Sequence, residues 1–406
     1  MPARNTSTRR DFLGGASRLA CAPLFFPGLS LQSKQPERPR NLVLIELFGG
    51  LDSLSLLAPK DNDDYRRARP TLAVPARDLL SIDADRGFPK ALAPLHQLWS
   101  EGFVRIVDGV GFPNSPLSHF SAREIWGAAL PGHTSEVNGW VARMRRELWA
   151  SDPSPEVLTH VGSVVPYSMM APNLPILCFE RPQDMESMAP CGTAVELDME
   201  GKPQRKSPAQ SPTGILARLT KTLSTSGRLG PRIQELSRAY KPQSRFPYTK
   251  FGAQLQTVSA LIQGGFGGRV YSLTHGDFDM HTSNPRSTTL PQMEFAEGIH
   301  AFMQNLKGTS AYEDTLVLCH SEFGRRLKEN SGGGCDHGAA GTMLLFGGKL
   351  KGGLSGTPPS LTELDDNGNL IPSMDFRSVY AAVIEQWFKA DHEPIMLEKL
   401  PVPELI

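Results

Sequence analysis

The sequence predicts an α/β fold, a mainly parallel sheet with helices on both faces. Three observations carry that reading. Asn41 to Leu47 reads NLVLIEL, a continuous apolar run of the kind that buried parallel strands show. Further apolar runs recur along the chain, and segments with helical spacing separate them. Several runs end abruptly in glycine and polar residues, as strands do where they deliver side chains to one edge of a sheet.

The chain opens on a segment outside the fold. Thr8-Arg9-Arg10-Asp11-Phe12-Leu13 matches the twin-arginine export pattern, and a moderately apolar stretch follows from Leu13 to Leu31. Arg18 interrupts that stretch, which suits an export signal better than a membrane anchor. Residues 1–35 are therefore expected to be a twin-arginine signal peptide, with mature protein beginning at roughly residues 28–36. Passage through the twin-arginine translocase and a periplasmic or extracellular destination follow. Residues 36–406 are expected to form a single domain.

The first strand, 41–47, breaks at Phe48-Gly49-Gly50-Leu51-Asp52-Ser53. Phe103 to Val107 is a second short strand ending in Asp108-Gly109. Ser118 to Ala129 has helical spacing, with Phe120, Ile125 and Ala128 available for one face. Leu174 to Phe179 is another strand, and Pro175 suits its first residues or an edge. The stretch near 181–212 is rich in Pro, Ser, Gly and Met and reads as a loop excursion. Helices fill much of 213–263. Arg269 to Thr274 is a strand leading into His275-Gly276-Asp277-Phe278-Asp279-Met280-His281. A helix over Pro291–Leu306 feeds a strand over 315–319; Met343 to Phe346 is a further strand, and Phe376 to Phe388 a closing amphipathic helix. No internal repeat is present.

Composition narrows the function classes. The 406 residues carry 42 Lys plus Arg and 42 Asp plus Glu, so no bulk charge draws the chain to nucleic acid or an anionic membrane. No segment after the signal is long and apolar enough to span a bilayer. Thirty-eight Gly and 34 Pro predict long irregular connections between elements. Of the five Cys, Cys21 lies in the signal. Cys178 and Cys191 flank a Pro-rich loop and are placed to form a disulfide in an oxidising compartment. Cys319 and Cys335 bracket the polar cluster described next, either paired or free, and no Cys-x-x-Cys zinc pattern occurs.

Polar groups gather after three of the apolar runs. Asp52 follows the first strand. Asp277, Asp279 and His281 follow the 269–274 strand. Glu322, Asp336 and His337 follow the 315–319 strand, within His320-Ser321-Glu322-Phe323-Gly324-Arg325 and Cys335-Asp336-His337-Gly338. The carboxyl ends of parallel strands share one edge, so groups distant in sequence can converge there. Carboxylates suit hard divalent metals, and zinc takes carboxylate and imidazole together. Asp279-x-His281 puts two ligands on one side of an extended segment. Structural roles compete: Asp52 as a turn or helix-cap residue, Asp279 and His281 as a surface turn, Asp336 as a hydrogen-bond partner of His337, Arg325 as an ordinary ion pair.

The chain also resembles a family of exported bacterial proteins known as domain of unknown function 1501. The carriers, spread over nearly the whole chain, are the Arg-Arg-x-Phe-Leu signal, Phe48 to Ser53, Arg69-Pro70-Thr71-Leu72-Ala73-Val74-Pro75, Ser118-His119-Phe120, Asn138-Gly139-Trp140, Asp279-Met280-His281, Ser321 to Arg325 and Asp336-His337-Gly338. That family is similar to the alkaline phosphatase and sulfatase superfamily, which implies an alkaline-phosphatase-like domain and two metal half-sites. Asp279, His281 and His337 resemble one half-site. Asp52 and Glu322 occupy places comparable to the other, in which Phe323 stands where a second ligand is normal. Asp336 completes the candidate ligand set. The superfamily's nucleophile opens a helix, a place taken here by Ser118, with Ser115 as second choice.

The resemblance thus implies a metal-dependent hydrolase of a phosphate, sulfate or related ester. The metal is divalent, with zinc, calcium and magnesium all open. Ser118 would be nucleophile or His119 would orient the attacking water, and Arg325 would neutralise developing charge. A small anionic ester or an envelope glycan is the expected substrate. Two alternatives stay open, a catalytically degenerate binding or assembly protein at the cell envelope and a single-metal hydrolase of different chemistry.

Overall fold

Strand β1 (Asn41–Leu47) lies at the centre of the molecule because strands flank it on both sides and helices cover both its faces. The computed structural model describes residues 39–131, 138–185, 214–284 and 288–406. The expected signal over 1–35, Cys21, Cys191 and the loop excursion from 186 onward lie outside the described residues. Residues Pro39–Ile406 form one unit by their internal contacts.

After β1 come helix α1 (Ser53–Leu56) and a small antiparallel sheet of β2 (Ala58–Pro59), β3 (Leu79–Ser81) and β4 (Arg86–Pro89), with helix α2 (Asp63–Ala68) between its first two strands. Helix α3 (Ala93–Ser100) leads to β5 (Val104–Gly111), helices α4 (His119–Ala128) and α5 (Trp140–Leu148), then β6 (Leu158–Val161) and β7 (Leu177–Phe179). Helices α6 (Gly214–Ala239) and α7 (Lys250–Gln263) precede β8 (Val270–His275), and α8 (Leu290–Leu306) precedes β9 (Thr315–His320). A hairpin of β10 (Gly324–Glu329) and β11 (Cys335–Gly338) follows, then β12 (Gly341–Gly347), β13 (Gly353–Gly356), β14 (Met374–Asp375) and helix α9 (Phe376–Ala382).

The central sheet runs β13-β5-β12-β9-β1-β8-β6-β7, with β14 also paired to β5. Every pairing is parallel except the two made by β12. The expected mainly parallel α/β sheet is therefore present. The reversal of β12 has a local cause. After β9 the chain turns out through the β10–β11 hairpin and comes back beside β9, Leu345 opposite Leu318. That detour holds part of the polar cluster at the carboxyl end of β9.

Alternation along β1 divides its side chains between two cores. Val43, Ile45 and Leu47 pack with Leu95 of α3, Leu255 of α7 and Phe302 of α8. Leu42 and Leu44 pack with Ile125 of α4, Val141 of α5 and Val379 of α9. Each such burial stabilises the fold by about 1.5–3 kcal/mol. Glu46, the one charged residue of β1, faces the second core, where Arg123 holds its carboxylate by two bonds of 2.7 Å. No described helix is long and apolar enough to cross a membrane.

Three elements depart from the sequence reading. The strand expected at 103–107 runs on to Gly111 because β12, β13 and β14 all pair with it. The strand expected over 174–179 begins only at Leu177, beyond Pro175, whose nitrogen cannot donate to a ladder. The closing helix changes to π geometry over Val383–Trp387.

Candidate metal centre

The registers of the three central strands place their ends together. Leu47 lies opposite His275, and Glu46 opposite His320. The loops after β1, β8 and β9 therefore leave from one edge. Packing them needs glycine: Gly49 and Gly50 have φ of +120° and +80°, and a Cβ on Gly49 would lie 2.5 Å from the Asp279 nitrogen. The loop after β8 is stitched to the hairpin by Cys335 N–H donating to Met280 O at 2.8 Å and by a bridge between Thr282 and Gly333. That stitching sets His281 beside β11.

Three donor atoms converge there. His281 Nε2 lies 3.0 Å from His337 Nε2 and 3.1 Å from Asp279 Oδ1, and His337 Nε2 lies 3.3 Å from the same Oδ1. Each ring is held from behind. His337 Nδ1 faces the Leu117 carbonyl at 2.8 Å, and His281 Nδ1 faces Asp336 Oδ1 at 3.2 Å. Both partners only accept, so each Nδ1 carries the proton and each Nε2 presents a lone pair. Burial, with the nearby Arg325, holds the His337 imidazole below its ordinary pKa, which keeps it neutral. Two lone pairs and a carboxylate oxygen within 3.3 Å form a donor set that suits a cation. Ligands at about 2.1 Å around a tetrahedral ion are separated by roughly 3.4 Å, close to these spacings.

His119 borders the same space. It is the first residue of α4, and the ligand atoms of His119, Asp279 and His337 lie within 4.8 Å of one another. Its Nδ1 meets Glu322 Oε1 at 2.7 Å, and its Nε2 faces Asp279 Oδ2 at 3.6 Å. Glu322 is 1% exposed and also accepts from Gly49 N–H at 2.9 Å. The Glu322 bond, with help from Asp279, raises the His119 pKa. Burial opposes the Glu322 charge, and the His119 bond with the backbone donors overcomes it, so the carboxyl lies below its ordinary range. Phe48 and Phe323 pack on the His119 ring, with centroids 5.3 and 4.9 Å away.

Several expectations are corrected by these positions. Glu322 does not face Asp52; it backs His119. Asp52 is 2% exposed and caps α1 through Leu54 N–H, while Arg69 clasps its carboxylate at 2.5 and 3.0 Å. Its oxygens are thereby taken up in a buried ion pair. Burial works against that charge, and Arg69 overcomes it, holding the carboxyl below its ordinary range. Asp336 stands behind the His281 ring at Nδ1, where Asn330 also bonds it at 3.0 Å, so it braces that ring from outside the triangle of donor atoms.

Arg325 is likewise no clamp for substrate. Its side chain is 0% exposed, and it donates to the carbonyls of Gly49, Gly50, Phe278 and Cys335 and to Asp279 Oδ1 at 2.7 Å. It ties the three loops together and fixes Asp279. Ser118 is the N-cap of α4, exposed, and its hydroxyl caps no N–H of that helix. Ser115 is partly buried in the preceding loop. Phe323 is 2% exposed and lies over His337, with centroids 4.4 Å apart, and over Gly50, where a Cβ would meet its ring at 2.5 Å. An apolar ring fills the place where the resemblance expects a second half-site.

Sequence reasoning missed Leu117, whose carbonyl sets the His337 tautomer, and Asn330, which braces Asp336. The first acts through its backbone and leaves no residue signal. The second sits in the turn between β10 and β11, and a lone Asn there carries no signal of its partner. Cys178 bonds the Gly162 carbonyl, and Cys319 and Cys335 are free and buried. A second grouping, Glu385, Asp391 and His392, is closed, since both His392 nitrogens are engaged, by Glu385 at 2.6 Å and by Leu400 N–H at 3.0 Å.

Among solved structures the chain is similar to a protein in the alkaline phosphatase superfamily from Vibrio parahaemolyticus, at 8% identity and TM-score 0.41, covering 89% of this chain and 70% of that one. It is also similar to the phosphonate monoester hydrolase SpPMH from Silicibacter pomeroyi, at 11% identity and TM-score 0.34, covering 89% and 77%. The PsFucS1 sulfatase from Pseudoalteromonas sp. is matched at 11% identity and TM-score 0.36, covering 86% and 67%. No curated protein sequence matches the chain. The family model described as "Protein of unknown function (DUF1501)" matches residues 200–382. Asp279, His281, Glu322, Arg325, Asp336 and His337 all lie within the residues that this family model matches.

Proposed function

We propose that this protein is an exported hydrolase of a phosphate, sulfate or related anionic ester, working at one divalent cation. The observation that carries the reading is the triangle of Asp279 Oδ1, His281 Nε2 and His337 Nε2, 3.0 to 3.3 Å on a side. These three residues would hold the cation, with Asp336 and the Leu117 carbonyl fixing the two imidazoles. When bound, a divalent cation would polarise the ester and offset the Asp279 charge that faces His119.

The chain's own groups would do the rest. Arg325 holds Asp279 in place through its 2.7 Å bond. The first-turn N–H groups of α4, which Ser118 leaves without a side-chain cap, offer an anion seat beside His119. Glu322 fixes the His119 ring with Nε2 toward the site. The Arg9-Arg10 leader supports export, and the substrate is then an ester met outside the cytoplasm, either a small anion or a group on an envelope glycan. Phe323 favours a second reading, a protein that binds without turnover, because its buried ring stands where the resemblance expects a second ligand.

Turnover separates the two. Metal-supplemented protein should hydrolyse an aryl phosphate or aryl sulfate, and His337→Ala should drop the rate to background. Binding of a divalent metal with no turnover of either probe would favour the binding role.

A further inference from the structure

We infer that His119 is itself the nucleophile, so that ester hydrolysis proceeds through a phosphorylated histidine; this rests on the hydrolase reading above. Three observations point to His119 over Ser118. Its Nδ1 is bound to the buried Glu322 carboxylate at 2.7 Å, and that acceptor keeps the proton of the neutral ring on Nδ1, so the lone pair of that form is on Nε2. Nε2 points at the space bordered by Asp279 and His337, 3.6 Å from Asp279 Oδ2. Phe48 and Phe323 pack on the ring and hold its direction.

The hydroxyl has none of this support. Ser118 is exposed, caps no N–H of α4, and is hydrogen-bonded to no base among the described residues, the Nδ1 of the adjacent His119 being engaged by Glu322. A serine nucleophile needs a base within hydrogen-bond reach, and a base needs a hydroxyl to act on. Among the described residues neither Ser118 nor Nε2 has that partner. A carboxylate behind one imidazole nitrogen with the other nitrogen aimed at the reacting centre is a complete arrangement for direct attack.

The chemistry balances with groups on the page and water. The Nε2 lone pair forms a bond to the phosphorus of a phosphate ester seated at the α4 N-terminus. The P–O bond to the leaving group breaks, and the alkoxide takes a proton from water. The phosphorylated ring keeps its Nδ1 proton, and Glu322 faces its positive charge. A second water then attacks phosphorus, the P–N electron pair returns to Nε2, and the water's proton passes to the hydroxide left by the first step. The sum is ester plus water giving phosphate plus alcohol.

The test uses the full chain, loaded with metal and mixed with 4-nitrophenyl phosphate. The reaction is quenched in alkaline denaturant, and the adduct is mapped by peptide mass spectrometry. The expected result is one phosphoryl group on His119, stable in alkali and lost in acid. Should the adduct turn over too fast to trap, partition between water and an added alcohol gives the second readout. A common intermediate makes the product ratio constant across aryl leaving groups. Phosphate on Ser118, or a product ratio that changes with the leaving group, overturns the inference while leaving the hydrolase reading standing. So does a His119→Asn variant that keeps turnover within about twofold or that loses its metal, the latter making His119 a ligand. Wild-type protein with neither bound metal nor turnover brings down the hydrolase reading, and the inference with it.

Discussion

Replacing Asp52 by Asn tells a buried ion pair from a metal ligand. The Asp52 and Arg69 side chains are 1% and 0% exposed, and their closest approach is 2.5 Å. In Asp52→Asn the shape is kept. Arg69 also keeps its 2.8 Å bonds to the Leu327 and Arg326 carbonyls, but its charge is left without a counter-charge. Removing one partner of such a pair costs about 3–5 kcal/mol. Unfolding Pro39–Ile406 at about 2.1 cal/mol/K per residue gives an entropy of roughly 0.8 kcal/mol/K. The melting midpoint should therefore fall by about 4–6 °C at neutral pH, read by scanning calorimetry on metal-free protein. The pH dependence has a fixed sign. The Asp52 carboxyl is held below its ordinary value, so its contribution is complete above the unfolded-state pKa of about 3.9 and fades as pH falls through the lower folded value. The gap between wild type and variant should close in strong acid. An unchanged midpoint combined with lost metal would refute this account of Asp52.

Other predictions concern the core and the cluster. His160 is 1% exposed and burial lowers its pKa to about 4, so it should destabilise the fold as pH drops from about 6.5 toward 4, by about 3 kcal/mol, and His160→Gln should flatten that part of a pH-resolved unfolding curve. Asp336→Ala should weaken metal binding by roughly 10–100-fold in a competition titration, since it removes an orienting bond and no ligand; a complete loss would make Asp336 a ligand. Gly50→Ala forces a Cβ to 2.5 Å from the Phe323 ring at a φ of +80°, and soluble yield and melting point should both drop.

What the sequence made legible follows from period and order. The apolar runs of β1 and β9 are nearly continuous because both faces are covered, and β8, VYSLTH, is rich in β-branched and aromatic residues, so their strand character could be read directly. Asp279 and His281 lie on one side, with Oδ1 and Nε2 3.1 Å apart, and Met280 between them in sequence is buried. The β10–β11 hairpin was hidden because its two strands carry the polar and glycine residues of the cluster itself, GRRLKE and CDHG, without apolar alternation. Arg325 and Asp336 were assigned to chemistry because charge is visible in a sequence and burial is not. The backbone carbonyls that consume Arg325 and the turn that puts Asp336 behind His281 exist only after folding. The pairing of Glu322 with His119 spans 203 positions and had no local signal.

The central claim is that Asp279, His281 and His337 hold one divalent cation. Metal analysis of purified wild-type protein and of His281→Ala, with X-ray absorption on the bound ion, tests it most directly. The account predicts about one equivalent in the wild type, bound through two imidazoles and a carboxylate, and near-complete loss in the variant. Wild-type protein that takes up less than roughly a tenth of an equivalent, or a variant that keeps its metal, would contradict it.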